Sequence, residues 1–203
     1  ANILISAIEH PCVLKPALAL SKRITDPWNI NMFPTNTSGQ VDLEAVEKLL
    51  QRDKPALVSV MLVNNETGVI QNVSSIADMA RAQGAIIHTD AVQGFGKIPV
   101  DFSVLKVHAM TLSAHKIYGP KGAAALIIDK RLMLRPLIYG GGHENGLRSG
   151  TENVAAIVGL GAACELAQSR LDETTKHILP LQEHLEKGLL AMGAVIFGAE
   201  VPR

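Results

Sequence analysis

The sequence predicts an α/β protein with a mixed, mostly parallel sheet flanked by helices. Three observations carry this. Short apolar runs that end in polar residues alternate with helical patterns, the signature of βαβ units. Residues 57–63 (LVSVMLV) are nearly continuous in apolar side chains, as a strand covered on both faces must be. Two apolar runs, 107–112 and 123–128, are joined by only the ten residues 113–122, too few for a crossover helix, so they pair antiparallel.

The elements follow in order. Residues 2–6 (NILIS) open the sequence directly on a β-type run. Residues 42–51 place Leu43, Val46, Leu49 and Leu50 on one helical face behind Asp42 as N-cap. The buried strand 57–63 runs into the polar turn Asn64-Asn65-Glu66-Thr67-Gly68. A helix over 74–83 ends at Gly84, suited to the left-handed C′ position, and 85–89 is the next strand. The 107–112 and 123–128 strands come next. A glycine-rich stretch, 140–150, precedes one long helical run from about 151 to 190, and 194–197 (AVIF) reads as a last strand. Trp28, Phe33 and Tyr118 read as packing residues, and His177 and His184 as solvated ones.

Composition narrows the function. Nineteen Lys and Arg balance nineteen Asp and Glu, which leaves no basic field for nucleic acid or an anionic membrane. The longest apolar stretch, 56–63, is far short of the ~20 residues of a membrane span. Two cysteines, Cys12 and Cys164, make no disulfide framework, and no secretory leader opens the sequence, so a cytoplasmic location is expected. No metal site is expected.

In open α/β sheets ligands sit beyond the carboxyl ends of the strands. Asn65, Asp90 and Lys116 each follow a strand, about one βα unit apart, so they can converge on one crevice. Ser113, His115 and Lys116 crowd onto a turn stiffened by Gly119 and Pro120. A desolvated lysine forms Schiff bases with aldehydes. An aspartate facing a pyridine nitrogen keeps it protonated, and the pyridinium is an electron sink. Together they point to pyridoxal phosphate. Each residue also has a plainer reading: His10, before Pro11, as a surface-loop imidazole, Asn65 and Gln93 as turn residues, Ser113 as a backbone cap, and Thr151 as a helix cap without a ligand.

The blocks Glu9-His10-Pro11, 63–68 (VNNETG), 88–93 (HTDAVQ), 113–122 (SAHKIYGPKG) and 148–153 (RSGTEN) stand in an order and spacing that resembles the cysteine desulfurases of the NifS/IscS type. These are class V, fold type I pyridoxal-phosphate enzymes, and the resemblance spans residues 2–190. It implies that Lys116 holds the cofactor covalently and that Asp90 partners its pyridinium nitrogen. Asn65 and Gln93 then bond its phenolic oxygen, Ser113 and His115 grip its phosphate, and His10 stacks on the ring and moves protons. Thr151 serves the phosphate of a second subunit's cofactor, a role that also suits its place in a segment, 149–152, expected to open a helix.

The resemblance further implies L-cysteine as substrate, L-alanine as product, a homodimer, and a sulfur-acceptor or iron–sulfur scaffold partner. Residues 1–168 correspond to most of the large cofactor-binding domain, and 169–203 to a continuing helix and the start of a small domain. The nucleophilic cysteine loop of the family is not found, since neither Cys12, in a proline-flanked turn, nor Cys164, in a small-residue helix, resembles it. The family's N-terminal phosphate-binding threonine segment and C-terminal substrate-carboxylate arginine are not found either, so the sequence reads as the central portion of a longer enzyme. The alternatives are a related class V aminotransferase or selenocysteine lyase, and a non-catalytic module that serves as an interaction partner.

Overall fold

A computed structural model describes residues 1–203. Six strands form one sheet in the order β2-β1-β3-β4-β5-β6: β1 (Asn2–Ser6), β2 (Asn29–Phe33), β3 (Leu57–Ser59), β4 (Ile86–Asp90), β5 (Ala109–Ser113) and β6 (Ala124–Ile128). Every neighbouring pair is parallel except β5 and β6, which are antiparallel as the short 113–122 connection requires. The helices are α1 (Pro11–Ser21), α2 (Leu43–Asp53), α3 (Val73–Ala82), α4 (Phe102–Leu105), α5 (Val154–Ser169) and α6 (Leu171–Ala191). No single helix is long and apolar enough to cross a membrane.

Alternation along β1 sends Leu4 to one side of the sheet and Ile3 and Ile5 to the other. Leu4 joins Phe33, Val58, Ile87 and Met110 in the main core, closed by Val46 and Leu50 of α2 and by Val73, Ile76 and Ala80 of α3. Ile3 and Ile5 meet Ala17 of α1, with Leu14, Leu20 and Trp28 packed around them. Capping sets the helix starts. Asp42 accepts from Ala45 N at 3.0 Å and Asn72 from Ser75 N at 3.3 Å. Gly84 follows α3 with φ +72°, the left-handed turn expected there.

Several expectations need correction. The segment read as a proline-flanked turn around Cys12 is the first turn of α1. Pro11 sits where its missing N–H costs nothing, and His10 Nδ1 caps the helix by accepting from Cys12 N at 3.2 Å. β2 was not foreseen: as the edge strand beside β1 it alternates Asn29 and Asn31 with Ile30 and Met32 and presents no continuous apolar run. In the 57–63 run only Leu57–Ser59 forms a ladder strand; beyond it Val60 N and Leu62 N still bond His88 O and Asp90 O.

The 151–190 run is two helices that meet at Arg170 with a 68° bend, where Ser169 Oγ turns back onto Leu166 O. Residues 149–152 do not open α5. Asn153 does, accepting from Ala156 N at 3.2 Å. The 194–197 stretch forms no strand, because Gly193 and Gly198, both at positive φ, turn the chain on either side of it. Phe33 and Trp28 pack as read, whereas Tyr118 is 98% exposed, because it occupies the left-handed C-cap of the 3-10 turn Ala114–Ile117.

Candidate active site

The parallel strands β1, β3, β4 and β5 end side by side, so the segments that follow them line one edge of the sheet. At about 4.8 Å per strand, the exits of β1 and β5 are roughly 14 Å apart. His10 follows β1, Asn65 follows β3, Asp90 ends β4 with Gln93 one turn beyond, and Ser113 ends β5 ahead of His115 and Lys116.

Asp90 is the buried charge of this edge, 6% exposed. Its Oδ1 accepts from Val92 N at 2.9 Å, which fixes the carboxylate plane, and Oδ2 has only the Cys12 thiol nearby, at 4.0 Å. No cation pairs with it. Beneath it, His88 lies on the same face of β4 and is held between Ser59 Oγ (2.9 Å from Nδ1) and Thr111 Oγ1 (3.4 Å from Nε2). Burial holds the His88 imidazole below its ordinary pKa, with the Asp90 charge opposing.

On the neighbouring turn Ser113 Oγ and His115 Nδ1 are 2.7 Å apart, and Lys116 is exposed with no carboxylate partner. Helix α5 presses on this turn through small residues. A Cβ on Gly159 would meet Pro120 Cγ at 2.8 Å, and one on Gly119 would meet Ala163 Cβ at 3.0 Å. The compact α5 thereby supports the turn that carries Lys116. Gln93 is engaged by a residue that the sequence did not single out: Lys97 Nζ donates to its Oε1 at 3.2 Å and to its backbone carbonyl at 3.1 Å. Desolvation and the nearby Lys116 charge both lower the Lys97 pKa, so the two ammonium groups share one neighbourhood.

Asn65 is exposed, while its neighbour Asn64 does the structural work. Asn64 Nδ2 donates to Ile8 O at 3.2 Å, and its Oδ1 accepts from Glu66 N and Thr67 N, tying the exit of β3 to that of β1. Thr151 lies exposed in the irregular segment just ahead of α5, with no side-chain hydrogen bond to the Ser113–His115 pair. The residues brought together are thus His10, Cys12 and Asp90 on one side and Gln93, Lys97, Ser113, His115 and Lys116 on the other.

Two groups were given no role from the sequence. Glu9 is 6% exposed beside Asp90, and burial pushes its pKa up to about 7. Its position before the candidate His10 was the available signal. Lys97 had none beyond its distance from Gln93. A cleft of about 550 Å³ lies at the opposite, amino end of the strands beside Asn2, Trp28, Asn29 and Asp53, and contains none of these residues.

The sequence pattern of the family described as aminotransferase class V matches residues 1–202. The chain belongs to that family. Among curated relatives, it is 43% identical to a cysteine desulfurase of Sinorhizobium fredii over 97% of this chain and 50% of that protein. It is 42% identical to a cysteine desulfurase of Gluconacetobacter diazotrophicus over 93% of this chain and 46% of that one. Among solved structures, the NifS-like protein of Rickettsia africae superposes with a TM-score of 0.90 at 40% identity, covering all of this chain and 55% of that one. DndA of Streptomyces lividans gives 0.83 at 37% identity, over 93% and 53%. This class V chain thus spans about half the length of the curated relatives it matches.

Proposed function

We propose that this chain is the cofactor-binding portion of a cysteine desulfurase that uses pyridoxal phosphate to take sulfur from L-cysteine and leave L-alanine. The observation that carries the reading is Asp90: a buried carboxylate with one oxygen fixed, one oxygen free and no cation beside it, one strand away from an unpaired lysine. Such a carboxylate fits a ring N–H cation, and Lys116 fits an aldehyde. When bound, the cofactor supplies the aldehyde for covalent attachment and the electron sink for a Cα carbanion.

The residues of the chain divide the remaining work. Asp90 Oδ2 accepts the ring N–H, and the Val92 amide holds the carboxylate in plane for it. Ser113 and His115 would donate to the phosphate, Thr151 to the phosphate of a second subunit's cofactor, and Asn65 and Gln93 to the phenolic oxygen. Lys97, hooked on Gln93, orients that amide. Lys116 Nζ takes the Cα proton of the substrate. His10 would stack on the ring and carry a proton there, with its imidazole held by the cap on Cys12 N.

Residues 1–168 form most of the large domain, and 169–203 lead into a small one, a division supported by the bend at Arg170. The intact enzyme acts as a cytoplasmic homodimer that passes sulfur to an acceptor or iron–sulfur scaffold protein. Exposed apolar side chains such as Met133 and Leu137, each 93% exposed, suit coverage by a further protein surface.

Exchange of the L-cysteine Cα proton in D2O, followed by NMR with pyridoxal phosphate present, tests the reading. Exchange is expected in the parent, lost in Lys116→Ala and slowed in Asp90→Asn. Exchange that needs no cofactor, or that survives Lys116→Ala, contradicts it.

A further inference from the structure

The turn after β1 puts a second carboxyl within electrostatic reach of Asp90. Glu9 is as buried as Asp90, yet its surroundings are the opposite. Asp90 Oδ1 is held by a backbone N–H, a contact that favours the anion. Glu9 Oε1 accepts the Ser6 hydroxyl at 2.8 Å, the Met61 amide lies near the carboxyl, and Oε2 is buried with no hydrogen-bond partner. A buried carboxylate oxygen left bare is costly; the same oxygen carrying a proton is far less so. The titratable groups facing Glu9 are Asp90 from the end of β4 and the Cys12 thiol from α1, with His88 below Asp90. Neither Lys nor Arg pairs with either carboxylate. With no cation present, burial of Glu9, with the Asp90 charge adding to it, favours the protonated form of Glu9.

We propose that Glu9 is a positioning residue for Asp90: it keeps the proton of this carboxyl pair in the resting protein, so that Asp90 faces an incoming ring cation as the sole buried anion. The role depends on Asp90 being the partner of a ring cation, as proposed above. Burial is the main force that holds Glu9 neutral, the Asp90 charge adds to it, and the Ser6 hydroxyl and Met61 amide oppose it only in part. Reciprocally, a cation seated on Asp90 relieves that repulsion and makes Glu9 a stronger acid, so cofactor binding and the Glu9 proton are linked.

Difference infrared spectroscopy of the full chain carrying 13C-labelled glutamate tests the assignment without any activity assay. A carboxylic-acid carbonyl band is expected at pH 5.5, half lost near pH 7. It should vanish in Glu9→Gln and titrate at lower pH in Asp90→Asn, where the neighbouring charge is gone. Should Glu9→Gln fail to fold, Ser6→Ala keeps Glu9, removes the contact that favours its anion, and must move the midpoint to higher pH. No such band in the parent, a band that persists in Glu9→Gln, or an unmoved midpoint in both Asp90→Asn and Ser6→Ala overturns the proposal.

Addition of pyridoxal phosphate, followed by its visible absorbance, tests the linkage. The band midpoint should fall on binding, and Glu9→Gln should lose the pH dependence of cofactor affinity between pH 6 and 8. An unchanged pH profile in Glu9→Gln reduces Glu9 to a packing role. A parent chain that shows the infrared band but binds no cofactor at any pH overturns the reading of the site, and the positioning role with it, while leaving the protonation of Glu9 established.

Discussion

Glu9 and Asp90 differ less in chemistry than in what surrounds them, and the difference has a sign in stability. An acid whose pKa is about 7 folded and 4.5 unfolded binds the extra proton in the folded state. Stability from this group is therefore undiminished below pH 4.5, falls as pH rises toward 7, and levels off above it, a loss of about 3 kcal/mol for a shift of this size. His88 and His108, both held below the ordinary imidazole pKa by burial, slope the other way: they contribute above about pH 6.5 and lose that contribution as pH falls. Urea denaturation from pH 4.5 to 8 should show these trends opposing in the parent, and stability rising more steeply with pH in Glu9→Gln. Identical pH profiles would mean that Glu9 is ionised throughout. Asp90 and Lys116 were legible in the sequence because strand-end position follows from periodicity. The Glu9 proton was not, because it arises from burial that only the assembled sheet creates, and the Lys97 hook on Gln93 was not, because a four-residue spacing brings the two together only through the tight turn at Gly94.

Among the elements, α5 makes the sharpest prediction, because two of its glycines look alike in sequence and differ in surroundings. A Cβ at Gly161 meets nothing within 4 Å, so Gly161→Ala should gain about 1 kcal/mol from helix propensity. At Gly159 the new Cβ lands 2.8 Å from the rigid Pro120 ring, and overpacking of this kind costs about 1–3 kcal/mol. Gly159→Ala should therefore be the less stable of the pair and should weaken cofactor binding by displacing the Lys116 turn. Equal stabilisation by both would show that α5 does not brace the turn. The antiparallel β5–β6 pair and the Asp42 cap were readable because loop length and capping are local. α1 escaped notice since Pro11 and Pro16 mask its pattern, Pro16 also lacking the N–H to bond Cys12 O, and β2 since its NINMF alternation is only five residues long. The false strand at 194–197 shows that an apolar run needs a partner edge, and the turns at Gly193 and Gly198 deny it one.

At the scale of the whole molecule, the class V fold sets no reactive thiol beside the proposed cofactor site. Burial raises the pKa of Cys164, and burial followed by the Asp90 charge raises that of Cys12, so neither is a ready thiolate at neutral pH. With pyridoxal phosphate and L-cysteine, the chain is expected to release no alanine at an enzymatic rate, since a misplaced reacting group alone can cost ~100-fold. Robust turnover that Cys12→Ser abolishes would make Cys12 a nucleophile and contradict this account. In the proposed site, pyridoxal phosphate is held at the strand edge through Lys116, opposite Asp90. Borohydride reduction of the chain with bound cofactor, followed by peptide mass mapping, should find the pyridoxyl label on Lys116 alone; label on Lys121, on Lys97 or spread over surface lysines would rule this attachment out.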